Sequence, residues 1–444
     1  MKTSAEELKA RACQRIDESR SAIEAFVDDV GRHAELGYRE YRTAARFAEF
    51  VRARGFPVRE GVALTGVRAD VPLSHPGPTL AILGELDALP IPDHPLFSAE
   101  SGGVHACGHH AQLGMVCAIA EALADEDLRA GLAGNVALIA APAEESVEVD
   151  WRLTLREQGK IEFLGGKQEL IKEGVFDDVA AALLVHGSSR AETRSLSLGA
   201  ETNGHVIKRA TFIGKSAHAG VAPHQGVNAL KGATLGIIAI DAQRETFRDA
   251  DAIRVHPILT KGGDVVNAVP AVAELEMYVR GRSLEAVQDA NRKVDRALRG
   301  AAIAAGTQLR ISTMPGYLPL IQDPTLTELF RANATEIVGS DNIGADGHSA
   351  ATTDMGDLSQ LLPVIHPSCG GFTGTAHGND FVIGDFEAAV LVPAKALVMT
   401  AIDLLANGAA GLASLRTAHA PALSKAAYLA ALRGLAYELT EEGV

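Results

Sequence analysis

Apolar and polar positions follow two rhythms along the chain. Over the first ~30 residues Glu, Lys and Arg recur at helical spacing, which predicts an amphipathic helix. A second helix is expected over 41–54, where Ala44, Phe47, Phe50 and Val51 share a face and Gly55 ends the pattern. Short apolar runs follow at 79–83, 135–140 and 180–185, with a helical pattern at 112–124 between the first two. Buried runs alternating with helices predict an α/β fold, a mostly parallel sheet flanked by helices. From about residue 196 the rhythm changes. A strand at 206–213, a helix at 227–248, strands at 252–260 and 272–280, a helix at 284–305 and a strand at 308–313 give the βαββαβ order of a ferredoxin-like module. Helix and apolar strand then resume at 326–337, 361–365 and 388–405. The expected organisation is a larger domain in two parts, 1–195 and 316–444, with a lid-like module inserted at 196–315. The Ala-rich stretch 409–442 is expected to be a peripheral helical tail.

Length and charge narrow the classes. A chain of 444 residues exceeds what one core ordinarily supports, in keeping with such a division. A hydrophobic content of 47% excludes a disordered chain. A net charge of −15 argues against nucleic acid and anionic membrane as partners, because both reward clustered Lys and Arg. Cys13, Cys107, Cys117 and Cys369 are too sparse for a disulfide scaffold and form no CxxC pair. The charged N-terminus lacks a secretory apolar core. The most apolar stretches, such as 388–402 with Pro393 and Lys395, are expected to fall short of the ~20 residues of a membrane span. The expectation is a cytoplasmic protein acting on a small molecule.

The chemistry-bearing residues sit at the ends of the apolar runs. Cys107 and His109, two apart before a helix, can converge on one borderline divalent cation such as Zn, Mn, Co or Ni, with His105 and His110 beside them. Glu144 and Glu145 follow the run at 135–140, where a strand leaves the sheet and ligands of open α/β sheets gather. One of two adjacent carboxylates can bind a metal while the other takes a proton from water. His186 ends the run at 180–185, and His377 precedes an apolar helix. Glu85 and Asp87, two apart at the end of 79–83, point to one side. Together these side chains supply donors for two ions. The inserted module adds His218, in SAHAG, and Asn267, in GGDVVNAVP, as groups a lid can present to substrate. The segment 147–167, with Trp151 and Phe163, reads either as a surface insertion or as a pocket wall for an aromatic group.

GELDALP (84–90), HACGH (105–109), PAEE (142–145), VHG (185–187), GKSAHAG (214–220) with PHQGVNAL (223–230), GGDVVNAVP (262–270), TTDMGDLS (352–359) and AHGNDF (376–381) occur in that order. With the early segment 33–45, they make about residues 25–405 resemble the M20 metallopeptidase and amidohydrolase family. The likeness is to its aminoacylase-like branch, near the aminobenzoyl-glutamate hydrolases, the dipeptidases and the nitroanthranilate aminohydrolases. The resemblance implies a catalytic domain with two divalent ions per subunit, Mn or Zn first and Co or Ni as further candidates, and an inserted dimerisation domain. It implies Cys107, His109, Glu145, His186 and His377 as metal ligands, with Cys107 bridging, and Glu144 as general base. His218 would reach the partner subunit's site and support an oxyanion. Asn267 would bind substrate, Asp87 would orient a ligand with Glu85 near it, and Asp354 belongs to a motif near the site. His110 departs from the Asp or Asn usual after CGH and is expected at the substrate pocket. The implied reaction is hydrolysis of the amide of an N-acyl or N-aroyl amino acid or a dipeptide-like molecule. Hydrolytic deamination of an electron-poor aromatic amine is the alternative, and a catalytically silent metal-binding scaffold a more remote one.

Overall fold

Six strands build one sheet. They are β1 (Val58–Val62), β2 (Gly66–Pro72), β3 (His75–Glu85), β4 (Ala133–Ala141), β5 (Val179–Leu183) and the two-residue strand Val364–Ile365. In the computed structural model, which describes residues 4–345 and 347–443, the order is β1-β2-β4-β3-β5 followed by Val364–Ile365. β3 runs parallel to β4 and β5, and β5 parallel to the last strand; β1 and β2 turn back antiparallel. The 79–83 run lies inside β3, where Leu80, Ala81 and Ile82 are inaccessible to solvent. Strands buried on both faces read as continuous apolar runs, which is why β3, β4 and β5 were visible in sequence. β1 and β2, more polar and more mixed in pattern, were not.

α3 (Tyr41–Arg52) and α4 (His109–Leu123) pack on this sheet, and α1 (Ala5–Glu18) and α2 (Arg20–Arg32) pack against α4. The single N-terminal helix expected from charge spacing is two, broken at Ser19. α1 starts with a capping box in which Ser4 Oγ accepts the Glu7 N–H and the Glu7 carboxylate accepts the Ser4 N–H. α4 is apolar almost all round and buried on nearly every side, as a central helix must be. One C-terminal stretch, Glu387–Ala418, is in fact long and apolar enough to cross a membrane, contrary to the sequence expectation. Its most apolar window is 78% buried within the protein, and non-helical backbone at Ala406–Ala409 breaks it. It serves as a core helix against α1, α4 and β3.

These elements belong to a first compact unit comprising Met1–Glu201, Ile321–Gly347 and Asp357–Ser424. A second unit comprises Thr202–Leu320, His348–Gly356 and Lys425–Val444. Its antiparallel sheet contains Gly204–Ile213, Arg254–Lys261, Val272–Gly281, Gln308–Pro315 and Tyr437–Glu441. With helices Ala229–Asp241 and Leu284–Ala305 the order up to Pro315 is βαββαβ. Burial along Val272–Gly281 alternates strictly, because one sheet face is covered by the two helices.

The tail departs from expectation. After helix Lys425–Leu435 it ends as Tyr437–Glu441, which pairs antiparallel with Gln308–Pro315 and joins the second unit. A buried polar network anchors it. Lys208 Nζ donates to Asp295 Oδ1 at 2.5 Å and to Thr313 Oγ1 at 2.6 Å. Tyr437 Oη donates to Asp295 Oδ2 at 2.5 Å and accepts from Asn291 Nδ2 at 2.7 Å. Tyr437→Phe leaves Asp295 and Asn291 short of a partner and should destabilise the protein by about 1–3 kcal/mol. Denaturant unfolding checks this, and an unchanged midpoint contradicts it.

Candidate metal centre

β3 and β4 are parallel, and Glu85 pairs with Ala141, so the loops after both strands leave the sheet side by side. The N-terminus of α4 meets them there. At Gly84 a Cβ would lie 3.2 Å from the backbone of Gln112, so only glycine lets α4 approach β3 this closely. Gly108, at φ +87°, turns the chain from Cys107 into α4 and brings His109 inward.

The loop carrying the two glutamates is held in an unusual conformation. Ala143 has φ 51°, a left-handed value a non-glycine residue adopts only under constraint. Glu40 supplies part of that constraint: its Oε1 accepts the Ala143 N–H at 2.8 Å, and its Oε2 accepts the Thr65 hydroxyl at 2.6 Å. Burial, then the neighbouring Asp87, push the Glu40 carboxyl up to about 7. Arg152, almost wholly buried, donates to the carbonyls of Ala143 at 3.1 Å, of Leu164 at 2.7 Å and of Glu145. Glu144 and Glu145 thus leave a backbone clamped from two sides.

The donors converge around Cys107. Its Sγ lies 3.4 Å from His186 Nε2 and 3.3 Å from His377 Nε2. His377, at φ 62°, places the same nitrogen 3.4 Å from Glu145 Oε1. His109 Nδ1 meets the Asp87 carbonyl oxygen at 2.7 Å, while its Nε2 stands 3.2 Å from Glu85 Oε2. Asp87 Oδ2 accepts the Glu145 N–H at 2.8 Å. Cys107–His109–His186, Cys107–Glu145–His377 and Glu85–His109–Glu144 each gather their donor atoms within 4.8 Å. The thiol belongs to the first two sets.

These residues fit two divalent cations. His109 Nε2, Glu145 Oε1 and Asp87 Oδ1 are buried without a hydrogen-bond partner, a costly state unless a cation meets them. Thiolate, imidazole and carboxylate together suit Zn, Mn, Co or Ni. The electrostatics point the same way. Burial and Glu145 push the Cys107 thiol up, yet the imidazoles of His186 and His109 bring it down to about 6. Burial pushes the Glu145 carboxyl up, and His377 more than reverses this, to about 2. Glu145 in turn holds His377 up to about 11. Burial disfavours the charged form of His109 and His186, but Glu85 raises the first and Cys107 the second above the usual imidazole range. The cluster thus attracts positive charge, and protons take it where metal does not.

Other residues singled out in the sequence lie elsewhere. His110 does not join the donor sets. Its ring stacks on His105 at 5.0 Å and lines a separate cavity of about 690 Å³ with Val27, Phe97 and Phe381. His218 and Asn267 share one corner of the second unit, where the Ala219 N–H donates to the Asn267 carbonyl at 2.9 Å; both side chains are exposed. Asp354 is buried in the second unit. The 147–167 segment is buried in part: Arg152, Ile161, Phe163, Leu164 and Lys167 are buried, Asp150, Thr154 and residues 156–160 are exposed, and Trp151 lies under the Arg39 guanidinium at 4.5 Å. Sequence reasoning missed Glu40, Gln112, Arg152, Lys167 and His366. Gln112 bonds both the backbone and the side chain of Glu85, and the His366 ring lies 5.6 Å from that of His186. Glu40 was inside the 33–45 segment and Lys167 at the end of 147–167, but nothing in their spacing marks a buried partner.

Comparison with known proteins adds identity to geometry. Residues 81–401 match the description "Peptidase family M20/M25/M40". The chain is 30% identical over 421 residues to the Xaa-Arg dipeptidase of Mus musculus, covering 90% of this chain and 89% of that protein. It is 25% identical to one subunit of the p-aminobenzoyl-glutamate hydrolase of Escherichia coli strain K12, covering 76% of this chain and 77% of that one. Among solved structures, a dinuclear metal-binding peptidase of the M20 family from Bacillus subtilis superposes with a TM-score of 0.63. It is 21% identical and covers 88% of this chain and 99% of its own, so the likeness is one of fold.

The raised imidazoles carry a testable consequence. At pH 7 His377, held up to about 11, keeps its proton in the metal-free protein, and the acidic neighbours of His109 and His186 shift both toward the protonated form, whereas Cys107 at about 6 is already mostly thiolate. Uptake of Mn²⁺ or Zn²⁺ should therefore expel imidazole protons and weaken as pH falls. Calorimetric titration in buffers of different ionisation enthalpy measures this; a heat independent of buffer contradicts it.

Proposed function

The chain belongs to peptidase family M20/M25/M40, and we propose that it cleaves the amide of an N-acyl or N-aroyl amino acid, or of a dipeptide-like small molecule, as a metal-dependent amidohydrolase. The observation that carries this reading is the convergence of Cys107 with two imidazole sets and Glu145, beside the buried Glu144. Relatives named as an Xaa-Arg dipeptidase, a p-aminobenzoyl-glutamate hydrolase and an N-acetylcysteine deacetylase all take an amino acid joined through an amide, which supports the substrate class. His110 and Trp151, the residues that favoured aromatic deamination, are engaged away from the donor sets.

Cys107, His109, Glu145, His186 and His377 would hold two divalent ions, Mn or Zn first, with Cys107 between them. Bound there, the ions supply Lewis acidity toward the amide carbonyl and acidify water. Glu144 accepts the water proton and delivers it to the departing nitrogen, so that amide and water yield a carboxylic acid and an amine. His218 Nδ1 accepts the N–H groups of Gly220 at 3.2 Å and Val221 at 3.1 Å. That leaves the neutral ring's proton on Nε2, the tautomer an oxyanion donor requires. In the inherited arrangement this donor serves a partner subunit, with Asn267 binding substrate beside it. The second unit supports pairing with a second copy: Arg254–Lys261 is an edge strand, with Ile258 50% and Leu259 45% exposed.

Two outcomes test this. In a panel of N-acyl, N-aroyl and dipeptide substrates, Glu144→Ala should lose roughly a hundred- to ten-thousand-fold in kcat with metal content unchanged. Near-normal turnover rules Glu144 out as the base. Replacing Ile258 and Leu259 together with Lys should give a monomer by light scattering that keeps its ions but loses activity. An active monomer removes the shared-site reading.

A further inference from the structure

The donor sets contain two carboxylates beyond the proposed ligands; Glu144 is the proposed base, and a buried lysine answers the other, Glu85. Glu85 and Lys167 are both wholly inaccessible, with Lys167 Nζ 2.5 Å from Glu85 Oε1. The other carboxylate oxygen accepts Gln112 Nε2 at 2.9 Å and stands 3.2 Å from His109 Nε2. A single carboxylate therefore joins a lysine to the nitrogen that would bind metal. The backbone holds the lysine there as firmly as the ligands. Lys167 lies in the first turn of helix Gly166–Lys172, and the Gly166 N–H donates to the Ala143 carbonyl at 3.3 Å. At Gly166 a Cβ would fall 1.6 Å from the Pro142 oxygen, so the helix starts against the very loop that carries Glu144 and Glu145.

We propose that Lys167 is a resident cation of the metal centre, a positioning residue that neutralises Glu85 inside the donor set and so limits how tightly the exchangeable cations are held. The inference rests on the dinuclear reading above. Glu85, Glu144 and Glu145 share a buried space with the Cys107 thiolate, and like charges at such range repel strongly in a poorly screened interior. Divalent ions offset part of that repulsion. The ammonium offsets more, and because it is covalently part of the chain no chelator removes it. It also occupies the Glu85 oxygen turned away from His109, which keeps Glu85 as an oriented neighbour of His109. Without the ammonium, Glu85 would be an unmatched charge, destabilising when no metal is present and adding attraction when metal is.

The test compares the full-length wild type with Lys167→Met and with Lys167→Met/Glu85→Gln, each stripped with chelator and titrated with Mn²⁺ alone. Lys167→Met should lower the melting temperature of the stripped protein by on the order of 10 °C. It should bind Mn²⁺ about tenfold or more tightly than wild type, so that saturating Mn²⁺ recovers most of the lost melting temperature. The double variant, with both charges removed, should return close to wild type in melting temperature and in Mn²⁺ affinity. It also decides the matter if the single variant does not fold: a double variant that folds and binds like wild type supports the inference, and one that does not overturns it. Unchanged or weaker Mn²⁺ binding by folded Lys167→Met overturns the inference alone. A wild type that takes up no Mn²⁺, Co²⁺ or Zn²⁺ overturns the dinuclear reading and the inference with it.

Discussion

Negative charge crowded at the carboxyl ends of two central strands is the constraint on which the rest of the first unit depends. Glu85, Asp87, Glu144, Glu145 and Cys107 are all buried where β3 and β4 end. No folded state tolerates that crowding unless positive charge is built in or taken up. Three imidazoles and one lysine lie among these groups, and the proposed pair of divalent ions would meet the rest of the requirement. The same feature that threatens stability creates the catalytic potential, because ions held by such a cluster acidify water and polarise a carbonyl.

Holding the donors in place needs backbone that ordinary elements do not provide. Ala143 and His377 both take left-handed conformations. Glu40 and Arg152 keep Ala143 there, one accepting its N–H and the other donating to its carbonyl. Arg152 sits in 147–167, a segment whose charges suggested solvent. Arg152 faces inward because the loop beyond β4 exposes carbonyls that helices and strands do not satisfy, while Asp150, Arg156, Glu157 and Lys160 stay exposed. The segment is the scaffold of the glutamate pair.

The residues singled out for chemistry fall in both units. The first gathers the Cys107 donor cluster with Glu144; the second carries His218, whose Nδ1 accepts two backbone N–H groups, beside Asn267. Its sheet has Tyr437–Glu441 as one edge strand and Arg254–Lys261 as the other.

The sequence by itself determined the parts that local pattern encodes. β3, β4, β5 and most of α4 are apolar runs with Glu85, Cys107, His109, Glu144, Glu145 and His186 at or near their ends, so the cluster of chemistry-bearing residues was readable, whereas the choice of ligands among them came from the resemblance. The βαββαβ succession was readable because strand alternation and helical spacing differ in period. Tertiary structure alone decided the rest. Glu40, Arg152 and Lys167 look like solvated charges, since their partners lie 103, 9 and 82 residues away and no periodicity marks such pairs. His110 follows His109 in sequence yet lines another cavity, because successive residues of a helix diverge by about 100° and only one can face the metal. Which charges are buried, and therefore which must be paired, is a property of the packed chain.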